Sequence, residues 1–263
     1  MAKLGIKRTL KTFKKNLFLF QELVKRDFKH KYKGTVVGMG WSVLSPLLTL
    51  FVMRIIFKEF FGRDTPHYTI YLFSGNIVMS YFKESTRGGM TSLLNNSKIL
   101  TKINVPKYLF LLSKNVSSFI NFLLTLVVYF VFCVIDRIDF TWNMLALIYP
   151  ILCLVIMNIG IGMILSCLYV FFRDTTYLYD IFLTLLTYLS AIFYTVDRFS
   201  PEIQNLFHLN PVYDIIKYFR VVVIDGNIPS LAYHGLCFFY SALFLLIGSY
   251  MYKKYNHKFV YYF

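Results

Sequence analysis

Acidic residues are scarce in this chain: 13 Asp and Glu stand against 28 Lys and Arg in 263 residues. That scarcity excludes several mechanisms. No carboxylate pair is spaced for acid–base catalysis, and the only acids near an apolar stretch are Glu84 and Asp180, both towards its cytoplasmic side. Proton- or sodium-driven carriers place ionisable groups at mid-membrane. No internal repeat of the kind many such carriers display is visible either. The chain has no Gly-x-x-x-x-Gly-Lys-Ser/Thr phosphate cradle and no Gly-x-Ser-x-Gly elbow, so it encodes neither a P-loop ATPase nor a serine hydrolase of the usual kind. Cysteine is limited to Cys133, Cys153, Cys167 and Cys237, all within apolar stretches and without Cys-x-x-Cys spacing, which makes them packing residues. The five histidines are scattered. No catalytic residue, no metal site and no cofactor of its own is expected. No cleavable signal peptide is expected, because residues 1–36 contain no uninterrupted apolar core.

What the chain has in abundance is apolar surface: 57% hydrophobic residues, with 28 Phe and 21 Tyr. A soluble domain cannot hide so much, and the fold class expected is an all-α integral membrane protein forming a single domain over 1–263. A helix needs about 20 apolar residues to cross a bilayer. Six spans are predicted, near 36–57, 69–82 with a polar continuation, 113–135, 144–171, 177–196 and 231–252. Charge then orients them. Residues 1–36 hold 11 Lys or Arg, 83–114 hold six, and Arg173, Lys253, Lys254 and Lys258 bring that side to 21; six lie on the other side and Arg54 falls inside the first span. The positive-inside rule puts both termini in the cytoplasm. The net charge of +15 is thus a topology signal, and no nucleic-acid partner is expected.

Within 1–33, Ile6, Leu10, Phe13, Leu17, Phe20 and Val24 recur at alternating four- and three-residue steps. This predicts an amphipathic helix lying on the inner membrane surface, either as an anchor or as a collector of anionic lipid-linked substrate. The polar stretch after the second span is suited to a short helix presenting Leu94, Ile99 and Leu100 to a partner, and Pro106 resets the chain before the third span. Between 198 and 230, Pro201, Asn210-Pro211 and Asp225-Gly226-Asn227 punctuate two amphipathic pieces too short to span.

Three separated motifs then define a resemblance: Arg26-Asp27 through Tyr32-Lys33-Gly34 to Gly40-Trp41-Ser42 and Ser45-Pro46-Leu47; Asn96-Ser97-Lys98-Ile99-Leu100 through Lys102 to Val105-Pro106; and Leu209-Asn210-Pro211-Val212-Tyr213 with Tyr218-Phe219-Arg220. In motif order and layout the chain resembles, over nearly its whole length, the permease subunit of ABC exporters for bacterial surface polysaccharides, the family of O-antigen, capsule and wall teichoic acid exporters. The resemblance implies a homodimer in the bacterial inner membrane with two copies of a separate cytoplasmic ATPase, which would hold the ATP and Mg. It implies a coupling helix within 93–105, where Leu94, Lys98, Ile99, Leu100 and Lys102 would meet that ATPase. External gate helices that dip back towards the membrane would occupy 198–230, with Asn210, Pro211, Tyr213 and Arg220. Where many relatives carry Ser-Pro near the end of the fifth span, this chain has Ser190-Ala191.

The cargo implied is an undecaprenyl-linked glycan amid membrane lipid. Sugars offer hydroxyls and apolar C–H faces, so aromatic rings lining a wet channel suit a sliding polymer. The candidates are Tyr71, Phe73, Tyr81 and Phe82 from the second span and Tyr188, Phe193 and Tyr194 from the fifth; lipid-facing filler is the alternative for each. Arg26, Lys29, Lys31, Lys33 and Arg173 sit where a carrier diphosphate needs cations, and positive-inside anchoring explains the same residues. Lys83, Glu84 and Arg87 mark a cytoplasmic mouth or simply the exit of the second helix from the bilayer. An ABC permease for a drug, peptide or lipid is the alternative function, and an ATP-independent carrier or channel is the alternative from another class.

Overall fold

A computed structural model describes residues 15–61 and 66–262. Ile6, Leu10 and Phe13 of the expected amphipathic stripe lie outside them. Among the described residues the chain is all-helical. Its α-helices are α1 (Leu17–Tyr32), α2 (Trp41–Phe61), α3 (Tyr68–Asn95), α4 (Ser97–Leu100), α5 (Tyr108–Ile135), α6 (Ile148–Phe171), α7 (Thr175–Leu189), α8 (Pro201–Phe207), α9 (Pro211–Val223) and α10 (Leu231–Tyr255), joined by short 3₁₀ turns.

Among the described residues four stretches are long and apolar enough to cross a membrane: Gly38–Phe57, Tyr108–Ile135, Trp142–Phe171 and Leu231–Tyr255. The expected second and fifth spans differ from these for separate reasons. α3 has 28 residues, but its polar residues dilute its hydropathy. It also runs unbroken past the expected end at 82, so the polar continuation is helix. α7 has only 15 residues and stops at Leu189, not near 196. At 1.5 Å per residue it covers about 22 Å, short of the ~30 Å hydrocarbon layer.

Backbone contact builds the centre of the molecule. A Cβ on Gly160 of α6 would sit 2.4 Å from the Phe244 carbonyl carbon of α10, and one on Gly89 of α3 would sit 2.9 Å from Gly162 Cα of α6. Small residues let membrane helices approach this closely, where dispersion and not water exclusion holds them. Around these crossings Leu72, Phe73, Met79, Phe82, Tyr129, Met157 and Phe219 form a continuous core.

The face α1 buries is not the expected stripe. Leu23, Asp27 and Tyr32 are buried, whereas Leu17 is exposed. The cause is α5: Asp27 takes an ion pair from Lys114 Nζ at 3.0 Å and a hydrogen bond from Ser113 Oγ at 3.0 Å, and Tyr32 OH donates to Asn121 Oδ1 at 2.7 Å. A buried carboxylate is retained only when so partnered, so α1 docks along α5.

Candidate transport site

Between residues 70 and 91 of α3, every apolar side chain is buried, and the positions that are not buried are Asn76, Ser80, Lys83, Glu84, Arg87, Gly88 and Thr91. All are polar or glycine. Their spacing of four, three and four residues keeps them on one face of a 3.6-residue helix. The stripe is flanked by α1 and α2 on one side and by α7 on the other. Towards α1 and α2 it opens into a cleft of about 450 Å³ of mixed lining, with Lys31, Ser42, Asn76, Ser80, Glu84 and Asn121 beside Trp41, Pro46, Tyr81 and Phe122. Here Glu84 accepts from Lys31 Nζ at 2.8 Å and from Asn121 Nδ2 at 2.9 Å. Towards α7, Arg87 pairs with Asp180, and Tyr179 OH donates to Thr86 Oγ1 at 2.6 Å.

The C-terminal end of α7 is held by side chains. After Ser190 the helix stops and Ala191 takes φ +48°, so the chain breaks here without proline. Buried backbone groups freed by such a break need partners, and each carbonyl from 189 to 194 except that of Ser190 has one. Asn210 Nδ2 donates to Leu189 O at 3.2 Å, Arg220 Nη1 to Ala191 O at 2.9 Å and Nη2 to Ile192 O at 3.2 Å. Tyr68 OH donates to Phe193 O at 2.7 Å, and Tyr71 OH to Tyr194 O at 2.6 Å.

Two of these donors bracket α9. Asn210 also caps it, its Oδ1 accepting from Val212 N and Tyr213 N at 3.0 and 3.3 Å, with Pro211 at the first helical position. Arg220, nearly fully buried, lies 3.4 Å over the Tyr71 ring and donates to Tyr71 O at 3.2 Å. Gly75 leaves it room, since a Cβ there would sit 3.1 Å from Nη2. α9 therefore grips α7 near both of its own ends. At its start, Asp214 Oδ1 meets His208 Nδ1 at 2.5 Å, and burial pushes the carboxyl up to about 6 although His208 opposes the shift.

A model of the ABC-2 type transporter family matches residues 18–224, most of the chain. The chain belongs to that family. The match spans the polar stripe, the clamp around α7 and all but the last helix. The ABC-2 chain is 27% identical over 251 residues to a Klebsiella pneumoniae protein named O-antigen export system permease protein RfbA, covering 92% of this chain and 95% of that one. A Myxococcus xanthus protein of the same name is 24% identical over 216 residues, 81% and 82% of the two chains. The family is one of transport permease subunits, which are not enzymes and normally pair with an ATPase subunit.

In this ABC-2 permease the expected channel aromatics divide sharply. Phe73, Tyr81 and Phe82 are buried, Phe73 edge-on to Tyr129 and Tyr81 against Phe122, although Tyr81 also lines the cleft beside α3. Tyr71 is occupied by Arg220 and the α7 end. Phe193 is buried and stacks on Phe57 at 4.5 Å, and Tyr194 OH donates to Tyr188 O at 2.8 Å. Only Tyr188 among the seven is exposed. The neighbours explain the division: α3 buries every other face against α5 and α6, leaving its polar stripe as the accessible one.

The cations divide too. Lys83 and Arg87 belong to the stripe with Glu84, Lys31 borders it, and Lys29 and Lys33 are exposed. Arg26 pairs with Asp27 at 2.9 Å. Arg173 instead donates to Tyr262 O at 3.3 Å. In the connection after α3, Lys98 and Lys102 are exposed and Leu94 and Ile99 half-buried, while Leu100 is buried with Leu23, Leu93 and Phe110, so it anchors α4 from inside. The exposed apolar residue there is Ile103, which the sequence reading passed over. Asn76 and Ser80 were also passed over, although their periodicity with Lys83 and Arg87 was visible.

Proposed function

We propose that the chain is the membrane subunit of an ATP-driven exporter that moves a lipid-linked surface polysaccharide of O-antigen, capsule or teichoic acid type outwards across the bacterial inner membrane. α3 and α7 serve as the second and fifth of six spans, both termini are cytoplasmic, and the polymer runs along the polar stripe of α3 between α2 and α7. A second copy closes the path by covering the exposed faces of those two helices. Two cytoplasmic ATPases, carrying the ATP and Mg, push on the 93–105 connection through Lys98, Ile99, Lys102 and Ile103. The push reaches α7 through Arg87–Asp180 and Tyr179–Thr86, and α9 follows because Asn210 and Arg220 tie it to the α7 end. α8 and α9 thereby act as the external gate. Carrier diphosphate is collected by Lys29, Lys31 and Lys33 at the inner mouth.

The observation that carries this reading is the composition of the α3 face: from Asn76 to Thr91, about four turns, the helix keeps only polar residues and glycine accessible. Such a surface is costly against lipid and useful against hydroxyls. The names of the related permeases support the cargo class. The test is to coexpress the chain with the ATPase encoded beside it, reconstitute the complex, and measure ATP turnover with and without lipid-linked glycan from the same cells. Stimulation should occur and fall at least about tenfold in an Asn76→Leu, Ser80→Leu variant, on the scale of one lost ~1.4 kcal/mol polar contact. Equal stimulation of that variant sinks the path assignment.

One feature favours a second reading. An almost wholly apolar cavity of about 760 Å³ lies between α6, α7, α8, α9 and α10, lined by Ile164, Leu186, Leu206 and Phe244 among others. An exporter of drugs, peptides or lipids would use it, and in the same assay turnover would respond to lipid and not to glycan.

A further inference from the structure

On the opposite side of the molecule from the polar stripe, where α10 ends and α5 begins, a cavity of about 700 Å³ has two different walls. Its rim carries Lys107, Lys253 and His257; its floor is formed by Leu112 and Met163. No acidic residue lines it, nor the adjoining 440 Å³ pocket that shares Pro106, Lys107 and Asn256 and adds Lys15. It shares no lining residue with the cleft beside α3.

Tyr108 and Tyr252 line the cavity with their rings, their hydroxyls being buried away from it. Lys107 lies just before the first residue of α5, and among the described residues no carboxylate pairs with it. Its ammonium donates to Asn256 O and lies 5.6 Å over the Phe259 ring. Burial lowers its pKa, the direction that a nearby anion reverses. A cationic rim above an apolar floor at a membrane surface selects an amphiphile with a phosphate head and a hydrocarbon tail, and the volume is that of a ligand site.

We infer that this cavity binds one anionic glycerophospholipid, its phosphate at Lys107, Lys253 and His257 and one acyl chain over Leu112 and Met163. Bound there, the lipid joins the end of α10 to the segment leading out of α4, so it braces the connection assigned above to the ATPase. The inference rests on that reading only in taking this end of the helices to lie at a membrane surface; glycan export and ATPase pairing can fail without touching it.

The test is native mass spectrometry of the full-length chain extracted from nanodiscs of equal phosphatidylglycerol and phosphatidylcholine. One phosphatidylglycerol adduct should persist at least about fivefold over phosphatidylcholine, the preference that one lysine near an anionic surface supplies. The preference should vanish in a Lys107→Gln, Lys253→Gln variant and survive in Lys25→Gln, Arg137→Gln, which removes the same charge elsewhere. Leu112→Trp, which fills the floor without changing charge, should lose the adduct. Equal retention of the two lipids by the wild type overturns the inference, as does an equal loss in the control variant, which would signify surface charge alone. Displacement of the adduct by millimolar soluble glycerol phosphate overturns it as well, since the floor would then contribute nothing. The wild-type comparisons decide the matter even if a variant fails to insert.

Discussion

The α6 and α10 pair and the α2 and α7 pair are built on opposite principles. α6 and α10 cross at Gly160 and Gly248 with backbones touching, and half of the α6 span is buried. In the α2 span only 6% is buried, and α7 buries just Tyr179, Leu183 and Leu186, turning Ile181, Leu185 and Tyr188 outwards. Small residues fix the first pair; large apolar side chains leave the second free to meet lipid or another copy. A transporter needs both, because a helix that moves must push against one that does not. The α3 stripe lies on the boundary, its buried faces in the fixed part and its polar face looking out between the loose helices.

The comparison breaks most decisively at Gly160. Gly160→Leu forces a side chain into the α10 backbone, and overpacking of this kind costs about 1–3 kcal/mol or more. Loss of a monodisperse gel-filtration peak in detergent is expected; a normal peak with an unchanged melting temperature would mean that the two helices are not locked. Arg220→Met comes next. It removes a donor from three carbonyls but leaves only that of Ile192 without one, since Ala191 O keeps the Tyr71 hydroxyl at 3.3 Å and Tyr71 O keeps Ser74 Oγ at 2.9 Å; a buried carbonyl left unsatisfied costs about 1–3 kcal/mol. The melting temperature should fall, and amide exchange should quicken at 189–194 by more than it does in α6. Arg220→Lys should rescue only part, since one ammonium cannot replace the planar fork. Exchange quickened equally in both regions would show that the clamp belongs to the fixed part. The smallest effect is expected at Phe51 on the outer face of α2. Phe51→Ala should change stability by no more than about 0.5 kcal/mol, and a drop comparable to a core truncation would place α2 inside the fixed part after all.

Hydropathy made the four apolar spans legible, because runs such as 113–135 admit no other fate. Charge and the break at Asn210-Pro211 likewise marked the two short helices over 201–223. α3 was legible only to residue 82, since its later polar residues suggested departure from the membrane when they were one face of a continuing helix. The aromatic assignments failed to separate for a related reason: Tyr71, Tyr81 and Tyr188 carry the same side chain, and only the neighbours of each helix decide which phase is buried. Arg220 was hardest. A cation in a loop region suggests surface, and nothing local announces that the partners of its guanidinium are carbonyls from residues 71, 191 and 192.

That guanidinium also sets an order on biosynthesis. Tyr71 leaves the ribosome 149 residues ahead of Arg220. At ~5–20 residues per second that interval is about 7–30 s, whereas the Ala191 and Ile192 carbonyls, made 29 and 28 residues ahead of Arg220, wait about 1–6 s for the same guanidinium. The last third of the chain is therefore the fastener, and a nascent chain interrupted before residue 220 presents the quality-control machinery with an open end of α7.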